Sequence, residues 1–338
     1  MRNYSALLVL VLMAALAVPA VAQQRSSAGI YGSVSDSQGA VIPGAKVTVL
    51  HVSTNQARTT VTNQTGEYLF PLLPVGEYRI SVERPGFKRY EQTGLVLQVN
   101  DNAKVEVALE LGEVSTTVTV EGAVVSVETT NATIKEVIDA RRVVDLPLNG
   151  RNLADLTLLV AGVQPVGGAN ADSGLGAYSA PGTKYLSVNG SRQNQLKYTL
   201  DGGDNSDNLF NTNLAFPFPD AVQEFSMVTS NSGLEVGRSS AGSVNIVTKS
   251  GTNTVHGNAF WFVRNTEMNA NGFFSRFPDG LKRNQTGATL GGPIIKNKLF
   301  LFGGYQRTWI RTISGGGQPG PCPRRSATAT FLRCFQEQ

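Results

Sequence analysis

Cysteine and histidine are almost absent from this chain. Two of each stand among 338 residues, and charged side chains make up only 16%. That leaves little material for a metal centre or an activated nucleophile. Globular domains ordinarily carry about 25% charge. The charges present nearly balance, 29 Lys and Arg against 25 Asp and Glu. With no basic run to concentrate them, they argue against a nucleic-acid partner. No Gly-x-Ser-x-Gly elbow occurs. No apolar run reaches the length of about 20 residues that a spanning helix needs. What the chain has is glycine, 36 residues, and proline, 15, in a background that is 41% apolar. Such a composition is too apolar for disorder throughout and rich in turns. The length suggests two or three domains.

The first 22 residues read as an export signal. Arg2 precedes an apolar run from Ala6 to Val18, and Ala20-Val21-Ala22 supplies the small residues that a signal peptidase reads. The expected cleavage follows Ala22, and no Cys follows to take a lipid.

Residues 27–112 read as a β-sandwich. Tyr78, Ile80 and Val82 alternate with polar partners, as do Val105, Val107, Leu109 and Leu111, while Val47 and Val49 flank Thr48. Turn signals separate these runs at Asp36-Ser37-Gln38-Gly39, Pro43-Gly44, Asn63-Gln64-Thr65-Gly66, Pro74-Val75-Gly76 and Pro85-Gly86. The order of these pieces resembles the carboxypeptidase regulatory-like domain, a transthyretin-like sandwich also grouped with carbohydrate-binding-like folds. The resemblance implies a seven-stranded type of sandwich with Tyr68, Tyr78 and Phe87 in its core or at its rim. A zinc peptidase would need His and Glu ligands around an open metal position. His51 is followed by Val52-Ser53-Thr54, and His256 lies far away in another pattern. The expectation is therefore no enzyme: no catalytic residue, no metal and no cofactor.

Residues 113–252 form a different pattern. Val114 to Val120 is a β-branched run that suits an extended segment, a linker or a last strand of the sandwich. Leu146-Pro147-Leu148-Asn149-Gly150-Arg151-Asn152 follows, where Pro147 and Gly150 forbid a continuous helix. The spacing predicts a helix over 152–160 with Leu153, Leu156 and Leu159 on one face. Then come Asn189-Gly190-Ser191-Arg192, Leu200-Asp201-Gly202, Val222-Gln223-Glu224-Phe225 and Gly242-Ser243-Val244-Asn245-Ile246-Val247-Thr248-Lys249-Ser250-Gly251. Together these motifs resemble the plug domain of TonB-dependent outer-membrane receptors, most closely the Oar-like subgroup. That subgroup joins a carboxypeptidase regulatory-like domain to a plug and barrel.

The resemblance implies an α+β plug inside a barrel, and a periplasmic TonB-type energy-coupling protein as partner. That protein would pull an extended segment near the plug's start. By position, Val114, Thr116, Val118 and Val120 are the candidate coupling segment. Asn189, Arg192, Asp201, Asp204 and Asn205 are candidates for apical loops that meet a ligand. The acidic loop Asp201-Gly202-Gly203-Asp204-Asn205-Ser206-Asp207 is otherwise read as an ordinary turn or as an oxygen-ligand cation site.

Residues 253–311 read as the first strands of a transmembrane barrel. His256 to Arg264, Thr286 to Ile295 and Leu299 to Gln306 are strand-like, with Trp261, Phe262 and Tyr305 as girdle aromatics against outer-membrane lipid. Residues 312–338 read as an irregular tail, in which Cys322 and Cys334 are candidates for a disulfide.

The whole is expected to be mainly β: sandwich, α+β plug, then the first few strands of a barrel. The leading function is energy-coupled uptake of a scarce solute across the cell outer membrane. The ligand, a small solute, saccharide or peptide, is not legible. The runner-up is a secreted, non-enzymatic sandwich that binds a ligand. Receptors of this kind resemble barrels of about 22 strands. With about three strands legible, the chain is expected to be the front of such a receptor and not transport-competent alone.

Overall fold

Runs that alternate apolar and polar residues every second position become strands, and the turn residues between them set where the chain reverses. In this computed structural model, residues 28–112, 117–121, 133–166, 185–192, 195–208, 211–230, 239–270, 280–311 and 328–336 are described. The expected signal segment lies outside them.

The first module is a two-sheet sandwich. Its strands are β1 (Ala28–Asp36), β2 (Lys46–His51), β3 (Gln56–Val61), β4 (Glu67–Leu73), β5 (Gly76–Glu83), β6 (Arg89–Leu97), β7 (Asn102–Lys104), β8 (Val107–Leu109) and β9 (Thr117–Glu121). One sheet centres on β1, which pairs antiparallel with β4 and parallel with β7 and β8. The other runs β3-β2-β5-β6-β9. The inward residues of both sheets make one core, including Ile30, Val47, Val49, Phe70, Ile80, Val82 and Leu97. Tyr68 and Tyr78 sit in it, their hydroxyls donating to the carbonyls of Val105 (2.7 Å) and Pro74 (2.9 Å). Phe87 packs against the edge of this core, as expected. Gly66 turns into β4 at φ 73°, and a side chain there would meet the Val34 carbonyl at 2.8 Å. Only glycine satisfies both conditions.

Among the described residues the sandwich comprises nine strand segments, and it runs past the expected boundary at 112, the run from 117 being its last strand rather than a linker. β9 continues its second sheet, in parallel register with β6 from Arg89↔Thr117 to Thr93↔Glu121. A β-branched run needs a neighbour to satisfy its backbone, and the edge of β6 supplies one.

The second module is a mixed sheet with short helical turns. Its elements are β10 (Ile134–Asp139), α1 (Ala140–Asp145), β11 (Val163–Pro165), β12 (Leu186–Val188), β13 (Leu196–Leu200), β14 (Gly203–Asp204), β15 (Val222–Ser230) and β16 (Gly242–Thr248). The sheet order is β10-β15-β16-β13-β14, with β13 parallel to β16 and the other pairs antiparallel. Ile138, Tyr198, Phe225, Met227, Val244 and Ile246 fill its core.

The helix expected over 152–160 is a 3₁₀ helix, Leu153–Leu159, capped by the Asn152 side chain on the Ala154 N–H. Leu153 and Leu156 are buried, but Leu159 is 58% exposed. A 3₁₀ rise of about 2 Å per residue stretches the apolar seam and carries its third member past the core.

The third module is an antiparallel meander, β17 (His256–Asn265), β18 (Lys282–Ile295), β19 (Leu299–Arg311) and β20 (Thr328–Gln336). The tail expected to be irregular therefore holds a strand. It pairs with β19 from Thr308↔Thr328 to Phe300↔Gln336. The Gly- and Pro-rich stretch before it hides a run of β-branched and aromatic residues that suits a strand.

Candidate plug-to-wall site

The motif around Arg151 is shaped by its own turn chemistry. Asp139 caps α1, its carboxylate accepting from the N–H groups of Arg141 and Arg142 at 2.9 Å. Pro147 then ends helical continuation. Residues Asn149–Arg151 form a single 3₁₀ turn in which Gly150 has φ 68° and Arg151 φ 58°. Positive φ is costly for an Arg and persists only where the surroundings fix it. Here the surroundings are the third module.

The Arg151 guanidinium pairs with Asp220, with side chains 10% and 3% exposed. It also lies over two rings of β17, 4.5 Å from the centroid of Phe260 and 4.1 Å from that of Phe262. Its Nε and Nη1 have no hydrogen-bond acceptor among the described residues, and the aromatic faces take that place. Burial pulls the Arg151 pKa down, and Asp220 opposes the pull through charge and hydrogen bond. The second oxygen of Asp220 accepts from the Asn258 amide of β17, and Asn258 accepts in turn from Thr289 of β18.

Neighbouring contacts extend the attachment. The Gly150 carbonyl accepts from Gln285 Nε2 at 3.0 Å, and Asn149 Oδ1 from Arg264 Nη1 at 3.0 Å. A side chain at Gly150 would run into the Arg283 guanidinium at 1.8 Å. Phe218, two residues before Asp220, packs with Ala221, Phe260 and Phe302. The second module is thus fastened to three strands of the third by one ion pair, an aromatic clamp and a ring of amides.

Those strands have two unlike faces. Asn258, Phe260, Phe262 and Arg264 alternate toward the plug, so Trp261 and Val263 point away. Trp261 is 72% exposed, and the same outer side leaves Leu290, Leu301, Tyr305 and Trp309 exposed. Of the expected girdle residues, Trp261 and Tyr305 keep that position. Phe262 does not: its parity turns it inward onto Arg151. The outer face is aromatic and aliphatic, while the inner face mixes polar side chains with the phenylalanines that meet the plug, so β17–β19 alternate as a barrel wall in lipid does on its outer side.

The comparisons with known proteins agree. Residues 29–110 match the carboxypeptidase regulatory-like domain family, and residues 247–322 match the outer membrane beta barrel domain family. Over 302 residues the chain is 31% identical to the TonB-dependent transporter Oar of Myxococcus xanthus, covering 84% of this chain and 27% of that protein. The chain is similar to an Oar-type TonB-dependent transporter. It spans about a quarter of that relative's length.

Among solved structures, the siderophore receptor PirA from Acinetobacter baumannii aligns at 19% identity and TM-score 0.40, over 52% of this chain and 24% of that one. A catechol 1,2 dioxygenase from Acinetobacter radioresistens aligns at 14% identity and TM-score 0.24, over 29% of this chain and 56% of that one. Likenesses at such scores bear on neither fold nor activity.

The remaining site expectations of the Oar-like reading land as follows. Asp201, at φ 50°, turns inward and accepts from the Thr248 N–H and hydroxyl at 2.8 Å each. Burial still raises its pKa, with those two bonds opposing. Asp204 pairs with Lys197 and accepts from the Ser206 N–H. The acidic loop is therefore a turn stitched to the plug sheet, with the Asp201 and Asp204 carboxylates engaged internally. Asn189 donates to the Thr229 carbonyl at 2.8 Å, and Asn205 is buried with its N–H on Tyr198. Asn189, Arg192 and Asp204 are the exposed members of the set.

In the coupling segment, Val118 and Val120 fall on β9 at the sandwich edge, while Val114 and Thr116 lie outside the described residues. Cys322 lies outside them too, and Cys334 sits on β20 opposite Phe302. Asp220 and Phe260 carry the densest contacts here. Sequence reasoning did not single either out, because their partners are distant in the chain.

Proposed function

We propose that this chain supplies the sandwich, plug and first wall strands of an outer-membrane TonB-dependent receptor, exported by a cleaved signal at Ala22. The observation that carries the reading is the Arg151–Asp220 attachment. It fixes the plug sheet to the inner face of strands whose outer face carries exposed tryptophan, tyrosine and leucine.

A scarce solute bound on the outer side shifts the plug's conformational equilibrium. A periplasmic TonB-type protein then draws on the segment around Val114 to Val120. Among the described residues β9 pairs with β6 alone, and a strand held on one side opens locally at small cost. The plug moves only when the attachment at Arg151 yields. The role is binding and gating, with no bond made or broken by the protein.

The test places a photo-crosslinking amino acid at Val118 in cells carrying the protein. The expected result is outer-membrane fractionation with an adduct to the TonB-type protein. Fractionation into the soluble pool overturns the receptor reading. An outer-membrane protein with no adduct at Val118 overturns the coupling segment alone.

A further inference from the structure

The turn that joins β6 to β7 leaves the sandwich and lodges on the plug. Val99, at its tip, is 1% exposed. Its N–H donates to Glu224 Oε1 of β15 at 2.9 Å, and its carbonyl accepts from Lys135 Nζ of β10 at 3.1 Å. Both backbone groups of one sandwich residue are thus held by side chains of the plug. Lys135 also pairs with Asp101 Oδ1 at 2.6 Å, and Asp101 Oδ2 accepts the Gln98 N–H at 2.8 Å, which closes the turn.

The charges do not match. Two carboxylates, Glu224 and Asp101, face one ammonium, Lys135. All three are nearly buried: Glu224 is 6% exposed, and the Lys135 and Asp101 side chains are 14% and 17% exposed. Asp139 lies opposite Glu224 on β10, but its carboxylate is occupied by the start of α1. On the other side β16 opposes Glu224 with Val247. Among the described residues of these elements, no further cation balances the second carboxylate. A buried charge without a partner is strongly disfavoured and is relieved by taking up a proton.

We propose that this turn is a proton-sensitive joint, docked on the plug while Glu224 holds a proton and released when it ionises. Burial pushes the Glu224 carboxyl up to about 7, against the opposing pull of the Val99 N–H and Lys135. Undocked, the group returns to the ordinary carboxylate range, near 4.3. The docked state therefore binds the proton more tightly. Docking is fully favoured below the ordinary range and weakens as pH rises through about 7. The joint would work this way whatever the module beyond it transports.

The Val99 amide is the natural reporter, because its acceptor belongs to another module. Hydrogen exchange on the full chain in detergent, corrected for intrinsic rates, is measured at about pH 5.5 and about pH 8.5. Val99 is expected to lose protection about tenfold at the higher pH, while Ile80 in the sandwich core loses none there. Glu224→Gln, an isosteric neutral change, is expected to hold Val99 protected at both values. Lys135→Met, which removes the cation that holds the Glu224 carboxyl down, is expected to enlarge the loss and carry its upper end to higher pH. Equal protection of Val99 at both pH values in the unaltered chain overturns the proposal. A pH dependence that survives in Glu224→Gln overturns it as well.

Discussion

The plug meets the wall through Arg151 and Asp220, and it meets the sandwich through Glu224 and Lys135. Both contacts bury ions. At the wall one carboxylate, Asp220, faces the ring-clamped Arg151 guanidinium and also feels Lys249, and the Asn258 amide takes up its remaining oxygen. At the sandwich two carboxylates share one ammonium across a single turn. A buried carboxylate that cations outnumber resists change until one of its partners is lost. A cluster with a carboxylate to spare responds to a proton. The comparison teaches that the same kinds of side chain build a fixed attachment and an adjustable one, and that the counting of charges decides which.

The largest effect is expected from breaking the wall attachment. Asp220→Ala leaves the Arg151 charge buried without its partner and should cost about 3–5 kcal/mol. Thermal or denaturant unfolding of the full chain reads it, and a loss under about 1 kcal/mol would remove the pair from its central place. Arg151→Lys keeps the charge but not the planar stack on Phe260 and Phe262, and should cost about 1–2 kcal/mol in the same measurement. Removing the Asn152 cap from the adjoining 3₁₀ turn by Asn152→Ala should cost about 1 kcal/mol. At the far end, Arg79→Ala breaks a pair with Glu91 whose Arg side chain is 46% exposed, and should change stability by about 0.5 kcal/mol or less.

Acid sharpens the same contrast. His51 is buried in the sandwich, with Nδ1 2.7 Å from the Thr54 hydroxyl, and burial lowers its pKa. A lowered histidine favours the folded state above its ordinary value and withdraws that support as pH falls below it. Acid should therefore loosen the sandwich while tightening its joint to the plug. Exchange at Ile80 and Val99, followed together through an acid titration, should move in opposite directions.

Much of the fold was legible because it rests on local patterns. Tyr78-Ile80-Val82 alternates, turns punctuate the runs, and the β5 strand and its buried face follow. The motif from Leu146 to Asn152 was legible as a break in helical structure. Its purpose was not. Arg151 finds Asp220 across 69 residues, and Asp220 finds Asn258 across 38. Glu224 stood in a quoted motif, but its partner Val99 lies 125 residues earlier. No periodicity encodes such pairings; they follow from how whole modules stack. Phe262 was misjudged for a related reason, since only strand parity against the plug shows which way an aromatic points. The β9 run was legible as extended but not the edge it joins, and β20 was hard to see because it makes no strand without the neighbouring edge that satisfies its backbone.

The central claim is that β17–β19 form a wall with the plug on one side and lipid on the other. The chain's two tryptophans, Trp261 and Trp309, both lie on the outer side. The direct measurement is quenching of their fluorescence by brominated lipid in reconstituted membranes, with Trp261→Phe and Trp309→Phe separating the two contributions. Quenching that falls with each substitution, together with poor access for a water-soluble quencher, is the result this account predicts. Tryptophans that lipid bromine leaves bright and aqueous iodide quenches freely would contradict it.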